Sequence, residues 1–292
     1  MELGKLGVWY FLDGMPAPQA AAAAKRIESL GYSTLWIPEV VGRHPFVHAS
    51  WLLANTETLT IATGIANIYN REPGVTVQAQ KTLAEQSNGR FLLGLGVSHK
   101  PVVEGLRKLK YGKPVTTMRK YLANMAISPF TAVGPKEEPA TVIAALGPRM
   151  LELARSQCQG AHPYFTSPVH TKMARQILGP TAMLCVEQKV VLEIDPGTAR
   201  TAARENAATY MSLPNYRNNW LRMGLNKSDI DIEKGGSDKF IDATFAWGSA
   251  EKIKERIAEH FDAGASHVCI QPVKPGGAPG ELDWAALENL VT

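Results

Sequence analysis

Two short apolar segments with a helical stretch between them constrain the fold of this chain more than any other feature. Residues 59–67 and 89–99 each contain an apolar run too short for a helix, and each run has glycine near its end. Buried parallel strands read as continuous apolar runs rather than alternating ones. Glycine at the carboxyl end of a strand lets another backbone or a flat ligand approach closely. The two segments therefore predict a β-α-β unit whose strand ends face a ligand.

Strand-like and helix-like segments alternate along all 292 residues. Eight strands are predicted, at residues 5–10, 34–38, 59–66, 91–96, 141–146, 160–165, 183–193 and 267–272. At this length, eight strands that alternate with helices predict an α/β fold, a (β/α)8 TIM barrel that forms one domain over residues 1–292. A doubly wound sheet is the weaker alternative, because no Gly-x-Gly-x-x-Gly motif follows the first strand.

Two connections are too long to be simple loops between a strand and a helix. They are residues 100–138, after the fourth strand, and residues 214–247, after the seventh strand. Connections of this length are usually functional lids or contacts between subunits. We therefore expect insertions after strands 4 and 7 that shape the ligand pocket.

Composition and motif content exclude several classes of function. The net charge of +4 is spread along the chain without a basic run, so no nucleic-acid partner is expected. No apolar run reaches membrane-spanning length and no signal peptide is recognisable, so we expect a cytoplasmic protein without a membrane partner. Three cysteines without metal spacing are typical of buried thiols in a reducing compartment. No His-x-His or His-Glu-x-x-His pair indicates a metal, and no Gly-x-Ser-x-Gly indicates a serine hydrolase.

Side chains that can carry chemistry follow two of the predicted strands. Glu39 and His44 come after the second strand, and a carboxylate at the carboxyl end of a barrel strand is often catalytic. The structural alternative is an ion pair between Glu39 and Arg43. His99 follows the glycine-rich fourth strand, and this position favours a role in the site over a role in the core.

Two backbone segments are candidate ligand sites. At Gly64 and Ile65, glycine precedes a β-branched residue, which indicates either an ordinary bulge or a strained peptide held against a cofactor. Gly147 and Pro148 lead into a helix that begins near Arg149. Free N–H groups, the helix dipole and the arginine favour an anion there, and we favour phosphate over ordinary capping by proline.

Several longer motifs together resemble one known family. Residues 60–65, 71–73, 84–90 and 93–97 resemble the luciferase-like flavin and deazaflavin enzymes. Within that family, the chain is similar to actinobacterial oxidoreductases predicted to use coenzyme F420, through residues 67–69, 96–99 and 145–150. Further matches at residues 213–216 and 263–268 extend the resemblance over nearly the whole chain.

The resemblance implies the position of the cofactor and the assembly of the protein. It implies a (β/α)8 barrel that is often dimeric, so a homodimer is expected, with a cis peptide at Gly64–Ile65. The ring of coenzyme F420, or of FMN as the alternative, would rest on this bulge, and the phosphate would bind at the start of the later helix. The implied cofactor-binding residues are Gly64, Ile65, Ala66, Asn67, Gly96, Val97, Ser98, Gly147, Pro148, Arg149 and Met150.

The sequence departs from the sugar-phosphate dehydrogenase branch of this family. In that branch an acidic residue and a histidine end the second strand, and a glutamate follows the Gly-x-Gly of the fourth strand. Here valine follows both Glu39 and Gly96. We therefore reject a sugar phosphate as substrate, and we expect proton transfer to depend on Glu39, His44 or His99.

The expected function is hydride transfer between the deazaflavin F420 and a small, largely apolar organic substrate. One alternative is an FMN-dependent two-component monooxygenase on the same barrel, and another is a non-catalytic barrel that binds a flavin. An unrelated phosphate-binding isomerase or aldolase is weaker. It would need a lysine or a carboxylate pair at the strand ends, and the sequence shows no partner for Lys189.

Overall fold

Ten parallel strands form the sheet of this protein, in a computed structural model that describes residues 2–278 and 280–291. The strands are β1 (Leu6–Trp9), β2 (Thr34–Ile37), β3 (Thr60–Thr63), β4 (Ala66–Asn67), β5 (Phe91–Gly96), β6 (Thr141–Ile143), β7 (Gly160–Ala161), β8 (Met183–Leu192), β9 (Phe245–Gly248) and β10 (His267–Pro272). Neighbouring strands pair in chain order, and β10 pairs with both β1 and β8. The pairing of β10 with β1 and β8 closes a barrel of eight strands, in which β3 and β4 count as one interrupted strand and β9 lies outside. This confirms the predicted fold.

Helices connect the strands, and most of them begin with proline. They are α1 (Ala17–Ser29), α2 (Pro45–Ala54), α3 (Pro73–Gln86), α4 (Pro114–Ala126), α5 (Pro148–Gln157), α6 (Pro168–Leu178), α7 (Pro196–Met211), α8 (Pro214–Arg222), α9 (Asp238–Thr244), α10 (Ala250–Asp262) and α11 (Trp284–Leu290). Proline suits the first helical position because its φ is already helical and its missing N–H is not needed there. In the described part of the chain, no helix is long and apolar enough to cross a membrane.

The two insertions lie where they were predicted and contain more regular structure than expected. The first contains a π-helical turn at Pro101–Leu106 and then α4. The second contains α8, α9 and the start of β9, which the sequence analysis did not predict. β9 pairs with the outer end of β8, from Lys189 to Leu192. β8 is therefore extended beyond the barrel on the side of the strand ends.

The sixth predicted strand is much shorter than expected. Only Gly160 and Ala161 pair with neighbouring strands, whereas the prediction ran over residues 160–165. Pro163 has no N–H to donate to a ladder, so the regular pairing ends before it. The residues that follow Ala161 leave the regular ladder, and the side chain of Tyr164 lines the cavity at the open end of the barrel.

Candidate active site

A cavity of about 1460 Å³ opens at the carboxyl ends of the barrel strands. Its wall contains residues that directly follow several strands, and the second insertion covers one side. The residues at or just after strand ends are Trp9, Pro38, Gly64, Gly96, Ala144 and His162. Active sites of parallel α/β barrels lie at this same end, because the strand-to-helix loops converge there.

A non-proline cis peptide between Gly64 and Ile65 forms part of the cavity floor. The indole N–H of Trp9 donates a hydrogen bond to the Gly64 carbonyl at 2.8 Å. A Cβ on Gly64 would lie 2.5 Å from the Trp9 Nε1 atom, and a Cβ on Gly96 would lie 2.3 Å from the Ile65 Cδ1 atom. A side chain at Gly64 would therefore displace the Trp9 ring, and one at Gly96 would displace the Ile65 side chain. The bulge and cis peptide that the resemblance implied are present.

The predicted residues around this floor do not all face the cavity. Ile65, Asn67, Gly96, Val97 and Ser98 line it. Ala66 is fully buried in β4, opposite Leu95 of β5, and is absent from the cavity wall. Ala66 therefore contributes to the packing of the barrel and not to the surface of the cavity.

The start of α5 forms a positively charged corner of the same cavity. Gly147, Pro148, Arg149 and Met150 all line the wall, and no side chain caps the helix at Gly147. Arg222 of α8 approaches as well, with its guanidinium 4.0 Å from the position that a Cβ on Gly147 would occupy. A helix N-terminus with two arginines fits a phosphate group.

Glu39 lies in the cavity wall, but its carboxylate is held by other protein groups. It accepts hydrogen bonds from Arg71 Nη1 at 2.9 Å, from the Asn67 backbone N–H at 2.7 Å and from Asn70 Nδ2 at 2.6 Å. The alternative of an ion pair with Arg43 is wrong in its partner: the Arg43 backbone N–H donates to Asp13, and Arg71 forms the ion pair with Glu39. Glu39 thus braces the backbone just after the cis peptide.

The two histidine candidates lie in different places. His44 lines a smaller groove beside Glu39 rather than the large cavity, and its Nδ1 atom accepts a hydrogen bond from the Val47 N–H at the start of α2. His99 lines the large cavity, with its ring centroid 5.7 Å from that of Tyr216. Burial lowers the pKa of His99, and a hydrogen bond with Asn215 opposes this shift. His99 is the candidate that faces the cavity without an ion-pair partner.

His162 adds an unpaired polar atom to the cavity wall. Its ring stacks on Trp36, and its Nδ1 atom lies 2.8 Å from the Cys185 carbonyl, to which a protonated Nδ1 donates. The Nε2 atom is buried without a partner and lies 3.3 Å from the position of a Cβ on Gly64. This nitrogen is therefore left to accept a hydrogen bond from a bound molecule beside the cis peptide.

A buried polar group beside the cavity was missed from the sequence. Lys189 has no exposed side-chain surface, and it donates hydrogen bonds to the Tyr164 hydroxyl at 2.8 Å and to Gln271 Oε1 at 2.6 Å. Its Nζ atom also lies 3.4 Å from a carboxylate oxygen of Glu187. The expectation that Lys189 lacks a partner is wrong. The signal was the Glu-x-Lys alternation, which places two charged side chains on one face of an otherwise apolar strand.

The structure thus combines a closed parallel barrel, a large cavity at the carboxyl ends of its strands and a helix start in the cavity wall that is suited to an anion. Residues 4–126 match the family model of luciferase-like monooxygenases. This confirms the resemblance inferred from the sequence motifs.

Individual proteins resemble the chain over nearly its full length. A Mycobacterium tuberculosis protein, provisionally named a coenzyme F420-dependent oxidoreductase, is 25% identical and covers 98% of this chain and 99% of its own. The structure of coenzyme F420-dependent tetrahydromethanopterin reductase from Methanopyrus kandleri aligns with a TM-score of 0.77 at 16% identity, over 100% of this chain and 98% of that one. The FMN-bound oxygenating constituent of 3,6-diketocamphane monooxygenase from Pseudomonas putida aligns at 0.64 and 16% identity, over 91% of both chains. These similar proteins are enzymes, which confirms the expectation that this protein is an enzyme.

Proposed function

We propose that this protein is an oxidoreductase that uses the deazaflavin coenzyme F420 to transfer hydride to or from a small, largely apolar organic substrate. The observation that carries the proposal is the large cavity at the strand ends, whose wall contains both Gly64 and Gly96 of the floor and the start of α5. The M. tuberculosis relative and the M. kandleri reductase are both named as F420-dependent proteins, and this favours F420 as the cofactor.

The residues of the cavity fit such a cofactor at both of its ends. Gly64, Ile65 and Gly96 of the floor would lie against the ring, and beside them His162 Nε2 is a buried nitrogen without a hydrogen-bond partner among the described residues. The start of α5, with Arg149 and Arg222, offers an anion site for the phosphate. When bound, the deazaflavin supplies the carbon that donates or accepts hydride. The protein then has to hold the ring and the substrate in contact and to exclude water.

His99 is the residue that we propose for the accompanying proton. Glu39 is already held by Arg71, and His44 lies outside the large cavity. Burial lowers the pKa of His99, so the ring is neutral at pH 7 and can accept a proton as a substrate alcohol is oxidised. Replacing His99 with alanine is expected to lower turnover about 100-fold and to leave cofactor affinity nearly unchanged. Equal losses in turnover and affinity would make His99 a binding residue instead.

A fluorescence titration of the purified protein with oxidised F420, and separately with FMN, tests the cofactor. Tight binding of F420 with weak binding of FMN is the expected result. The reverse result would favour a monooxygenase, as the FMN-bound Pseudomonas structure suggests, and oxygen uptake would then separate it from a non-catalytic flavin carrier. Binding of neither compound would overturn the cofactor proposal.

We also propose that the protein is a cytoplasmic homodimer whose ligands are small molecules. The three cysteines are free, as expected in a reducing compartment. Exposed Val41, Leu106 and Leu109 surround the groove that contains His44, and a patch of this kind is typical of an interaction surface. Light scattering during size-exclusion chromatography tests the dimer, and a monomer at micromolar concentration would contradict it.

A further inference from the structure

A chain of hydrogen bonds runs from the buried Lys189 to the cavity, and the proposed function does not yet use it. Lys189 Nζ donates to the Tyr164 hydroxyl at 2.8 Å, and the Tyr164 and Tyr210 hydroxyls lie 2.7 Å apart. Gln271 Oε1 lies 2.8 Å from the Tyr164 hydroxyl as well as 2.6 Å from Lys189 Nζ. Tyr164 and Tyr210 both line the cavity. We call Lys189, Tyr164 and Tyr210 the tyrosine chain.

The buried end of the tyrosine chain is positively charged at neutral pH. Burial lowers the pKa of Lys189 to about 8, and the nearby Glu187 carboxylate opposes this shift. The ammonium also lies 4.3 Å from the ring centroid of Tyr164 and 4.9 Å from that of Phe165, in positions suited to cation–π attraction. A charge enclosed in this way acts strongly on the next hydroxyl, because little water screens it.

The other end of the tyrosine chain has a proton that can be directed into the cavity. The Tyr164 hydroxyl has one proton, which goes either to Gln271 or to Tyr210. In the second arrangement the Tyr210 proton is free to bond an acceptor in the cavity, and Gln271 keeps its bond from Lys189. Burial raises the pKa of Tyr210 to about 12, so its hydroxyl remains a donor at neutral pH. An acceptor in the cavity therefore favours the second arrangement.

We propose that Tyr210 binds the oxygen of a carbonyl substrate, or of the corresponding alcohol, and that Lys189 polarises this hydrogen bond through Tyr164. This assignment rests on the proposed function and names its substrate class as aldehydes and ketones. Trp9, Phe11 and Leu146 provide apolar cavity wall for the rest of such a molecule. Donors fixed where negative charge develops on an oxygen stabilise the transition state, as in an oxyanion hole. Tyr210 contacts the substrate, whereas Tyr164 and Lys189 are positioning residues.

Binding of 4-(dimethylamino)cinnamaldehyde tests the proposal without turnover, because its absorption band moves to longer wavelength when its carbonyl oxygen is polarised. The band is recorded with the whole protein, with and without oxidised F420. A shift to longer wavelength at pH 7 is expected for the natural sequence. Tyr210→Phe should abolish the shift and weaken aldehyde binding roughly 3- to 10-fold, the value of one hydrogen bond. Tyr216→Phe is the matched control, since its ring lies 5.3 Å from that of Tyr210 but outside the tyrosine chain, and it should retain the shift.

The effect of the Lys189 charge on the absorption shift is tested by a double substitution and by varying the pH. Lys189→Met alone would leave Glu187 unpaired in the interior, so Glu187→Gln is combined with it. This double variant should show a smaller shift that no longer changes with pH. In the natural sequence the shift should decrease as pH rises through about 8, where Lys189 loses its proton.

The groups that face Lys189 make this pH dependence assignable. They are Glu187 on the same strand, Cys269 on β10, and the two tyrosines of the chain. Burial raises the pKa of the Cys269 thiol and of both phenols, so these groups stay protonated near pH 8. The pair of Lys189 and Glu187 is then the part that titrates.

Three results would overturn the proposal: no shift in the natural sequence, a full shift in Tyr210→Phe, or loss of the shift in Tyr216→Phe. F420 binding is measured by fluorescence in the same samples. A shift that behaves as stated in a protein that does not bind F420 would refute the cofactor while leaving the carbonyl site in place. F420 binding without the shift would refute only the carbonyl site.

Discussion

The ion pair between Glu39 and Arg71 gives a prediction about the framework of the site. The side chains of Arg71 and Glu39 are only 5% and 7% exposed, and their carboxylate and guanidinium groups contact each other through both oxygens. Replacing Arg71 with methionine keeps an unbranched apolar stem of similar length and removes the charge. The Glu39 carboxylate is then left buried with the Asn67 N–H and the Asn70 amide as its remaining partners.

The expected cost follows from this burial. Removing one partner of a buried ion pair typically costs 3–5 kcal/mol, because the other charge stays in the interior uncompensated. Two hydrogen bonds still reach the Glu39 carboxylate, so we expect the lower end, about 3 kcal/mol of unfolding free energy. That is a large part of the roughly 5–15 kcal/mol that stabilises a typical protein. Glu39→Gln should cost a similar amount, because it leaves the Arg71 guanidinium unpaired.

Urea unfolding of Arg71→Met, of Glu39→Gln and of the variant that combines them measures these losses of unfolding free energy. The double variant should lose less than the sum of the single losses, because neither charge is left alone. Lys81→Met is the control: its ion pair with Glu138 spans 3.2 Å, but 78% of the glutamate side chain is exposed, so a loss of about 0–1 kcal/mol is expected. A loss below about 1 kcal/mol for Arg71→Met would refute the structural role of the pair. Glu39 would then return as a candidate for proton transfer.

Two further predictions concern the cavity floor and acid stability. Gly96→Ala places a Cβ 2.3 Å from the Ile65 Cδ1 atom, so the Ile65 side chain has to move into the space proposed for the ring. F420 affinity in a fluorescence titration should fall at least about tenfold, whereas Gly14→Ala, with open space around its Cβ, should leave it unchanged. Burial lowers the pKa of five histidines to about 3 or 4, and these are His48, His162, His170, His260 and His267. Because the unfolded chain takes up these protons first, the unfolding free energy should fall as pH drops from about 6.5 to 4, by up to about 1.4 kcal/mol per pH unit for each histidine; a flat profile in urea unfolding would contradict this.

The barrel could be predicted from the sequence because its strands are buried on both faces. Every residue of β2, β3 and β5 is buried, so each of these strands reads as an uninterrupted run of apolar residues, threonine and glycine between helical patterns. β9 follows no such rule. It pairs with the outer end of β8, and three of its four residues are buried against β8, α7, α9 and α10. Its burial depends on contacts between distant segments, which a local pattern does not show.

The candidate site could be predicted only where backbone geometry determines it. Gly64 and Gly96 mark close approaches within the cavity floor, Gly147 marks the start of α5, and all three line the cavity. Arg43 was the ion-pair partner considered for Glu39 because it is close in sequence, whereas the actual partner, Arg71, follows the third strand. Separation along the sequence does not predict which side chains pair at the open end of a barrel, because the ends of all the strands lie close together there.

The partners of Lys189 could not be predicted from the sequence for a similar reason. The alternation of strand residues places Glu187 and Lys189 on one face of β8, but their partners depend on the register of the next strand. In the barrel, Glu187 lies opposite Cys269, and Lys189 lies opposite Gln271. Had β10 paired one residue away, the lysine would face Ile270 or Pro272, and no residue there could accept its hydrogen bond through a side chain. A fully buried charge is stable only if it is paired, so this register and the tyrosine chain are mutually dependent. The same pairing that allows Lys189 into the barrel thus directs its charge toward the cavity.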